Sequence, residues 1–339
     1  MLTDHYPSVA LSHTPTPLEC LTNLSDHLGG PRIWAKRDDC TGLAMGGNKA
    51  RQLEFYIGDA LSHGADTLLT TGATQSNHVR MTVAAARKLG LEVEVQLEKR
   101  VEGRQQAYYE SGNPFLIKLM GAKIHFYPEG EDENGADAAM DARAEELCLE
   151  GRKPYVIPLS GNHTPYGSLG YVKAAEEMAQ QFAQQSLKIS GIVLASGSAT
   201  THSGLLVGMK ALGSEIPVFG LCIRRDQDAQ RERVLAKSLK VAEMIGHAEV
   251  VSDSDVLLDD CMLWPGYGQL NDGCLEAMKL AAFYEGLLLD PTYTGKSMAG
   301  LIDMIRKGQF TKDQNVVFLH TGGTPALFGY PELVVNNES

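Results

Sequence analysis

The segment GIVLASGSATTHSG (191–204) decides the fold, because it leads from an apolar strand through a turn of small residues into a helix. Backbone N–H groups can approach an anion where side chains are this small, and the N-terminus of the following helix favours the anion's charge. The segment therefore predicts a phosphate-binding loop in an α/β fold. A plain tight turn fits the same residues, and the glycines match neither GxGxxG nor a P-loop, since no lysine follows them.

Units of the same kind recur on both sides of this segment. The predicted strands are DTLLTTG (66–72), EVEVQLE (92–98), KIHFYP (123–128), YVIPL (155–159), GIVLASG (191–197), PVFGLCI (217–223) and VVFLHTGG (316–323). The predicted helices cover 77–89, 136–150, 168–185, 203–212, 227–246, 273–287 and 297–307. Alternating strands and helices predict mainly parallel, twisted sheets flanked by helices, and 339 residues are enough for two domains.

The composition is that of a globular protein, with 43% hydrophobic and 21% charged residues and a net charge of -12. No basic stripe offers contacts to phosphates, so we expect neither a nucleic acid nor a membrane surface as a partner. Nine acidic residues lie in Glu129–Glu150, against one arginine. This charge pattern is typical of a solvated surface, and EGEDENGAD (129–137) is predicted to be a mobile surface loop.

The six cysteines are irregularly spaced and form no CxxC motif. In a chain of this size they are typical of free thiols in a reducing compartment, so we expect a cytoplasmic protein. Cysteine and histidine nowhere cluster at the spacing of a zinc site, and the ten histidines form no HExxH motif. We therefore expect no metal.

Polar segments follow several of the predicted strands, where ligands bind in open α/β sheets. These segments are TTGATQSNH (70–78), LSGNHTPYG (159–167), ASGSATTHSG (195–204) and HTGGTP (320–325). In GGNKARQLEF (46–55), Lys49 follows two glycines at a predicted helix start. There the macrodipole opposes its charge and lowers its pKa, which suits an amine nucleophile. An exposed surface lysine is the alternative, but together with the phosphate-binding loop Lys49 suggests pyridoxal 5'-phosphate (PLP).

The order of the motifs resembles one family of PLP enzymes. The motifs are KRDDCTGLAMGGNK (36–49), GATQSNH (72–78), ASGSATTHSG (195–204), PGYG (265–268), LLDPTYTGKSMAGL (288–301) and HTGGTPALFGY (320–330). They resemble, over about residues 7–332, the tryptophan-synthase β fold type (fold type II), and more narrowly its D-cysteine desulfhydrase and 1-aminocyclopropane-1-carboxylate (ACC) deaminase group. The resemblance implies a large PLP-binding domain (1–49 and 163–339), a small mobile domain (50–162) and a homodimer.

The resemblance also implies roles for individual residues. Lys49 matches the lysine that binds PLP as a Schiff base, and Thr321 the threonine near the pyridine nitrogen. Tyr267 and Tyr293 match two tyrosines that flank the substrate. The loop that holds the substrate carboxylate corresponds to Ser76, Asn77 and His78, with Asn77 facing the cofactor 3'-oxygen. The residues that match the family's loop around the cofactor phosphate are Ser196, Gly197, Ser198, Ala199, Thr200 and Thr201, which we call the phosphate cup.

Structural roles remain open for the same side chains. Asn77 and His78 could cap the helix that follows them, since asparagine is a good N-cap. Tyr267 could anchor its loop, and Tyr293 could lie in the core with a satisfied hydroxyl group. His202 is expected to pack or cap rather than to take part in catalysis.

The chemistry implied by the resemblance is α,β-elimination from a small amino-acid substrate, with D-cysteine giving pyruvate, ammonia and hydrogen sulfide. Lys49 then removes the α-proton, Ser76 anchors the carboxylate or assists proton transfer, and Tyr267 or Tyr293 orients the substrate or protonates the leaving group. ACC deaminase-like sequences typically carry glutamate, which protonates the pyridine nitrogen, where this chain has Thr294. A weaker electron sink favours loss of a good leaving group over ring opening.

One segment departs from the desulfhydrase pattern. Desulfhydrase-like sequences read GGSNxxGxLGY where this chain has SGNHTPYGSLGY (160–171), and CTGL (40–43) also resembles cysteate sulfo-lyases. His163 and Thr164 could bind a sulfonate, or could lie in a loop without substrate contact. D-cysteine and cysteate therefore both remain candidate substrates. A catalytically silent PLP-binding protein is disfavoured by the intact Lys49, and a nucleotide-binding protein by the lack of a GxGxxG motif with a ribose-binding acid.

Overall fold

The computed structural model describes residues 1–159 and 163–335, and the strands in these residues form two sheets. The strands are β1 (Leu18–Cys20), β2 (Arg32–Arg37), β3 (Thr67–Ala73), β4 (Glu92–Glu98), β5 (Lys123–Tyr127), β6 (Pro154–Ile157), β7 (Ile189–Ser196), β8 (Val218–Cys222), β9 (Leu257–Asp259) and β10 (Asn315–His320). The helices are α1 (Thr22–Leu28), α2 (Lys49–Ser62), α3 (Asn77–Lys88), α4 (Gln106–Glu110), α5 (Asn113–Leu119), α6 (Glu133–Leu149), α7 (Tyr166–Gln184), α8 (Thr200–Ala211), α9 (Gln227–Met244), α10 (Asp272–Glu285), α11 (Thr294–Arg306) and α12 (Glu332–Val335). None of the helices described is long and apolar enough to cross a membrane.

Parallel pairing dominates both sheets. The larger sheet has the order β1-β2-β10-β7-β8-β9, in which β1 alone runs antiparallel to its neighbour. The smaller sheet has the order β5-β4-β3-β6 and is parallel throughout. Buried apolar residues cover both faces of the central strands, as parallel sheets flanked by helices require. The predicted α/β class with mainly parallel sheets is confirmed.

Each of the seven predicted strands is present, and EVEVQLE has the predicted bounds of Glu92–Glu98. The predicted helices are present too, although α6, α8 and α11 begin three residues earlier than expected. Strands β1, β2 and β9 were not predicted. Two of them have three residues each, and β2 (RIWAKR) carries charged residues that hide its period.

The prediction of a mobile loop at EGEDENGAD was wrong for its second half. Helix α6 begins at Glu133, and the carboxylate of Asp132 accepts a hydrogen bond from the N–H of Gly135 at 2.8 Å. Glu133 itself is half-buried and forms ion pairs with Arg224, Arg225 and Arg233, which lie between β8 and the second turn of α9. The sequence pattern showed the surplus of acid in this segment but not the basic partners, which lie about 90 residues away.

Two glycines bring α2, α7 and α8 into contact. A Cβ on Gly170 of α7 would lie 2.1 Å from the carbonyl oxygen of Arg51 in α2. A Cβ on Gly204 of α8 would lie 2.1 Å from the carbonyl oxygen of Ser168 in α7. Because both positions exclude a side chain, the three helix backbones pack closely, and the start of α2 is held near the start of α8.

A buried ion cluster fixes α2 against the larger sheet. The Arg51 guanidinium donates to Asp38 through Nε and Nη2, both at 3.0 Å, and to Glu177 through Nη1 and Nη2 at 3.0 and 2.9 Å. Asp38, which directly follows β2, is fully buried, and although burial opposes its ionisation, Arg51 holds its pKa below the usual range. Lys36 forms an ion pair with Glu177 as well. The cluster therefore joins β2, α2 and α7. Its member in α2, Arg51, stands two residues after Lys49.

Replacing Arg51 with leucine is expected to lower the free energy of unfolding by about 3–5 kcal/mol, because it leaves the buried Asp38 carboxylate without its main counter-charge. Arg32 provides the control, since its ion pair with Asp26 at 2.6 Å is exposed. Arg32→Leu should cost about 1 kcal/mol or less. Urea denaturation of both variants measures the difference, and equal losses would mean that the buried cluster does not stabilise the fold.

Candidate active site

A single cleft receives residues from both sheets and measures about 880 Å³, with the solvent at its mouth included. Most of the predicted site residues line it, namely Lys49, Ser76, Asn77, His78, Ser196, Gly197, Ser198, Ala199, Thr201, Tyr267, Tyr293 and Thr321. Thr200 lies in the cup but is not among the lining residues. His163 and Thr164 are exposed and do not line the cleft either, and residues 160–162 of the same segment lie outside the described residues.

Lys49 begins α2, as predicted, and its amine projects into the cleft wall. Burial lowers the pKa of Lys49 to about 8, and Nζ donates to Oε1 of Gln52 at 3.1 Å. The preceding backbone is tied to the larger sheet, since the N–H of Asn48 donates to the carbonyl of Thr321 at 3.0 Å. Gly46 permits this path, because a Cβ there would lie 1.8 Å from the carbonyl oxygen of Asp39. The lysine is thus a partly neutral amine on a rigid support.

The phosphate cup joins β7 to α8 and presents the N-terminus of a 12-residue helix to the cleft. Thr201 Oγ1 accepts hydrogen bonds from Asn48 at 2.9 Å and from Gln52 at 2.8 Å, which leaves its own proton for a ligand. Ser196, by contrast, accepts from Gln230 at 2.9 Å and contacts Nδ1 of His202 at 3.1 Å. The Ser196 hydroxyl is therefore engaged by two protein groups, and His202, which also lines the cleft, is fully buried beside it.

Lys237 is a cation of the cup that the sequence analysis missed. It is almost fully buried in α9, and Nζ donates to the carbonyl of Ser198 at 3.0 Å and to Oγ1 of Thr200 at 3.2 Å. Burial and the charges of Arg233 and Lys49 lower the pKa of Lys237 to about 7. An anion in the cup would favour its protonated form. In sequence, Lys237 looks like any other lysine of a polar helix.

The Ser76–His78 loop begins α3 and is held by buried polar contacts. Ser76 is the N-cap residue, with Oγ accepting from the N–H of Val79 at 3.2 Å, so the capping role falls to it rather than to Asn77 or His78. Asn77 Oδ1 accepts from Arg80 at 2.9 Å and from Asn113 at 3.1 Å. These contacts orient the Asn77 amide with its N–H₂ group as the donor available to a ligand.

His78 is a neutral acceptor at the cleft. Thr70 Oγ1 donates to the carbonyl of Ile157 at 2.9 Å, so it accepts from Nε2 of His78 at 3.0 Å. This network assigns the proton to Nε2 and leaves the buried Nδ1 as an acceptor without a protein partner. Burial, reinforced by the charge of Lys49, lowers the pKa of His78 to about 3.

Two tyrosines form a hydrogen-bonded pair on another wall of the cleft. The hydroxyl groups of Tyr267 and Tyr293 lie 2.6 Å apart, and their rings meet edge to face at 5.9 Å. Burial raises the pKa of both, so both remain protonated at neutral pH. Since one hydroxyl donates to the other, the pair keeps one proton for a third group.

Buried polar groups hold each tyrosine in place. The Asp290 carboxylate accepts from the N–H groups of Tyr293 at 3.0 Å and Thr294 at 2.8 Å, at the start of α11. Lys296 donates to the carbonyls of Leu263 and Gly266 and so fixes the loop before Tyr267. The hydroxyl of Thr294 donates to Asp290 at 2.7 Å and does not line the cleft. No carboxylate stands at Thr294 to protonate a pyridine nitrogen, as the sequence indicated.

The cleft also contains five charged residues that the sequence analysis missed: Arg100, Glu133, Arg224, Arg225 and Arg233. A signal for two of them was present, because Arg224 and Arg225 follow β8 after the single residue Ile223, at the sheet edge where ligands bind. Only segments rich in glycine, serine, threonine and asparagine were considered at that edge. Away from the cleft, Asp259, Cys261 and Asp303 lie within 4.8 Å of one another, but Asp303 is paired with Lys307 at 2.6 Å and nothing else there points to a metal.

The donor set of the cleft fits PLP. The phosphate would bind at the start of α8 beside Lys237, and Lys49 is an amine with a neutral fraction near pH 7. Asn77 offers an oriented amide N–H₂ group to a ring oxygen, and Thr321, which directly follows β10, lines the same cleft. The cleft thus offers an amine to the aldehyde, an amide donor to the ring oxygen and an anion site to the phosphate.

Fold and site together define a PLP-dependent enzyme of fold type II. A family model described as pyridoxal-phosphate dependent enzyme matches residues 9–322, and the chain belongs to this family. D-cysteine desulfhydrases of Salmonella paratyphi C and Salmonella newport are each 45% identical to it over 325 residues, which is 96% of both chains.

Solved structures agree with this family. The crystal structure of an ACC deaminase homologue matches with a TM-score of 0.88 at 37% identity and covers 98% of this chain and 97% of its own. A hydrogen sulfide-producing enzyme from Fusobacterium nucleatum matches with a TM-score of 0.64 at 17% identity, over 93% of this chain and 97% of its own, and shares the fold. The resemblance predicted from the motifs is thereby confirmed.

The pH dependence of cofactor capture tests the environment of Lys49. The neutral amine is the attacking species, so the rate at which PLP binds to cofactor-free protein should rise with pH up to about 8 and then level off. A free lysine side chain, with a pKa near 10.4, should react ever faster up to about pH 10. The rate is measured by the visible absorbance of the lysine-bound cofactor. A protein rate that follows free lysine would contradict a desolvated Lys49.

Proposed function

We propose that this protein is a carbon–sulfur lyase that converts D-cysteine and water to pyruvate, ammonia and hydrogen sulfide. The observation that carries the proposal is the presence, in one cleft, of a lysine with lowered pKa and a protonated tyrosine pair. An elimination needs a base for the α-proton and an acid for the leaving group, and the cleft supplies both. The 45% identity to D-cysteine desulfhydrases over 96% of the chain supports the same substrate.

PLP, when bound, supplies the electron sink that makes the α-proton of an amino acid acidic. Lys49 Nζ then accepts that proton. Its pKa of about 8 gives a substantial neutral fraction near pH 7, while an ordinary lysine would be almost fully charged. Gln52, at 3.1 Å, orients the amine without adding a charge that would favour its protonated form.

The tyrosine pair acts on the leaving group. One hydroxyl donates to the other, and the remaining proton is available to the sulfur as its bond to the β-carbon breaks. Arg100 lies 6.0 Å from the centre of the Tyr267 ring, and its charge opposes the rise that burial causes in the pKa of Tyr267. Arg100 therefore limits the loss of acidity that burial causes in this phenol.

The Ser76–His78 loop binds and orients the substrate carboxylate. It stands at the N-terminus of the 12-residue α3, where the first N–H groups and the helix dipole favour an anion. Gln75 fixes the loop, since its amide donates to the carbonyls of Tyr108 and Ser111 and accepts from the N–H of Asn113. Carboxylate binding there sets the face on which the α-proton meets Lys49.

We further propose that residues 50–162 form a small domain that closes on a large domain of residues 1–49 and 163–339. The support is that the carboxylate loop belongs to the smaller sheet and the phosphate cup to the larger one. A cytoplasmic location, which the cysteine pattern indicated, and a homodimer, which the family resemblance implied, belong to the same proposal.

Product analysis on purified holoenzyme tests the reaction. Pyruvate with sulfide from D-cysteine is expected, in parallel with assays of L-cysteine, L-cysteate and ACC. Pyruvate with sulfite from cysteate would transfer the assignment to a sulfo-lyase, and pyruvate from none of the sulfur substrates would refute carbon–sulfur elimination.

Replacing Tyr293 with phenylalanine removes one proton of the pair and is expected to lower kcat for D-cysteine by about 10²–10⁴-fold. The KM should change much less, because the carboxylate loop is untouched. Tyr284→Phe is the matched control, since Tyr284 stacks on His27 outside the cleft. A kcat within about twofold of the unaltered enzyme would remove the tyrosine pair from the proton transfer.

A further inference from the structure

Three arginines, which we call the arginine cluster, line the cleft on the side of the larger sheet. Arg224 and Arg225 lie in the loop between β8 and α9, and Arg233 lies two turns into α9. The side chains of all three are largely buried, with exposed fractions of 7%, 20% and 15%. Guanidinium groups at these positions are costly to desolvate unless anions meet them.

One carboxylate serves all three guanidinium groups. Glu133 accepts from Arg225 at 2.6 Å and from Arg233 at 3.1 Å, and it also pairs with Arg224. Although burial opposes its ionisation, the arginines hold the pKa of Glu133 at about 2, so it is charged at any working pH. Glu131 adds a contact to Arg224 at 3.0 Å but is 74% exposed. Positive charge therefore remains in excess within the cluster.

The other basic groups of the cleft have partners of their own. Arg100 forms a two-point ion pair with Glu98, at 2.8 and 3.0 Å. Lys237 contacts the phosphate cup, where a cofactor phosphate would neutralise it. The substrate's α-carboxylate is provided for at the start of α3. The excess charge of the arginine cluster is left for a further anion.

The arginine cluster lines the same cleft as the tyrosine pair. The positive charge of Arg224, together with that of Arg100, acts on the Tyr267 hydroxyl and lowers its pKa against the effect of burial. Arg225 Nη1 lies 3.4 Å from the carbonyl of Gly197, so the cluster reaches the edge of the phosphate cup. Because the tyrosine pair is proposed to act on the leaving group, a group on the β-carbon of the substrate would lie in the part of the cleft that these residues share.

We propose that the arginine cluster is a subsite for an acidic group on the β-carbon of the substrate, so that the enzyme also binds amino acids with a β-carboxylate. This inference rests on the proposed function, because it places the leaving group beside the tyrosine pair. Guanidinium forks offer paired N–H donors that match the oxygens of such groups. The sequence analysis offered His163 and Thr164 as sulfonate donors, but both are exposed and neither lines the cleft. The arginines, which do line it, are the donors for an acidic group instead.

Binding of two unreactive amino acids to the holoenzyme tests the subsite. Aspartate carries a carboxylate on its β-carbon and alanine does not. Titrations of both enantiomers, followed by the change in cofactor absorbance, should show aspartate binding about tenfold or more tightly than alanine in at least one configuration. Arg224→Gln should abolish that preference. Arg231→Gln should preserve it, because Arg231 lies in α9 outside the cleft lining and donates to the carbonyls of Asp253 and Val256.

Glu133→Gln should act in the opposite direction to Arg224→Gln. It removes the carboxylate that competes for the arginine cluster, so aspartate should bind more tightly still. A wild-type enzyme without preference for aspartate would overturn the inference. So would equal losses of both amino acids in Arg224→Gln, or a loss of aspartate in Glu133→Gln, since either result would make the cluster a purely structural clasp.

Two additional measurements separate this inference from its alternatives. Weaker PLP binding in Arg224→Gln, with an unchanged ratio of aspartate to alanine affinity, would assign the arginines to the cofactor phosphate and overturn the subsite. Pyruvate release from D-cysteine and cysteate is measured on the same preparations. Its absence from both would refute the proposed elimination, while the preference for aspartate would still decide whether the arginine cluster binds acidic side chains.

Discussion

The guanidinium of Arg51 lies between the carboxylates of Asp38 and Glu177, and the rest of the site depends on this contact. It orients α2 about its own axis, and close packing at Gly170 fixes the distance between α2 and α7. Lys49 stands two residues before Arg51, so its amine enters the cleft because the cluster leaves α2 no other orientation. The cost of burying these charges is offset by their mutual pairing.

Desolvation then gives each group in the cleft its chemical character. The same burial lowers the pKa of Lys49 to about 8, keeps His78 neutral and keeps both tyrosines protonated. A base and an acid for elimination thus coexist at one pH without a pair of catalytic carboxylates. Positive charge accumulates at Lys237 and the arginine cluster, which suits a cofactor and a substrate that are both anionic.

The sequence predicted the parts of the molecule whose pattern is local. Strand β4 alternates in a way that predicted its bounds, and Lys49, Ser76 and the tyrosines stand in motifs whose order is specific. The missed parts have two physical causes, which are short length and buried charge. Strands β1 and β9 have three residues each, too few to show a period, and β2 contains the buried Lys36, so it shows no clear apolar period.

Buried charge also explains what was missed in the cleft. The position of Arg224 and Arg225 after β8 was a signal, but their burial was not, because their partner Glu133 lies in α6, about 90 residues away in sequence. Lys237 is indistinguishable in sequence from exposed lysines on its helix. The pairing partners of such groups come from distant segments, and a single sequence carries no record of that proximity.

The central claim is that Lys49, on the rigid start of α2, is the residue that holds the cofactor. Borohydride reduction of the purified holoenzyme fixes PLP to its lysine, and mass spectrometry of the digested protein identifies that residue. The account predicts the pyridoxyl group on Lys49. Its recovery on Lys237 or Lys296, the other buried lysines whose pKa is lowered to about 7 and 8, would contradict the account.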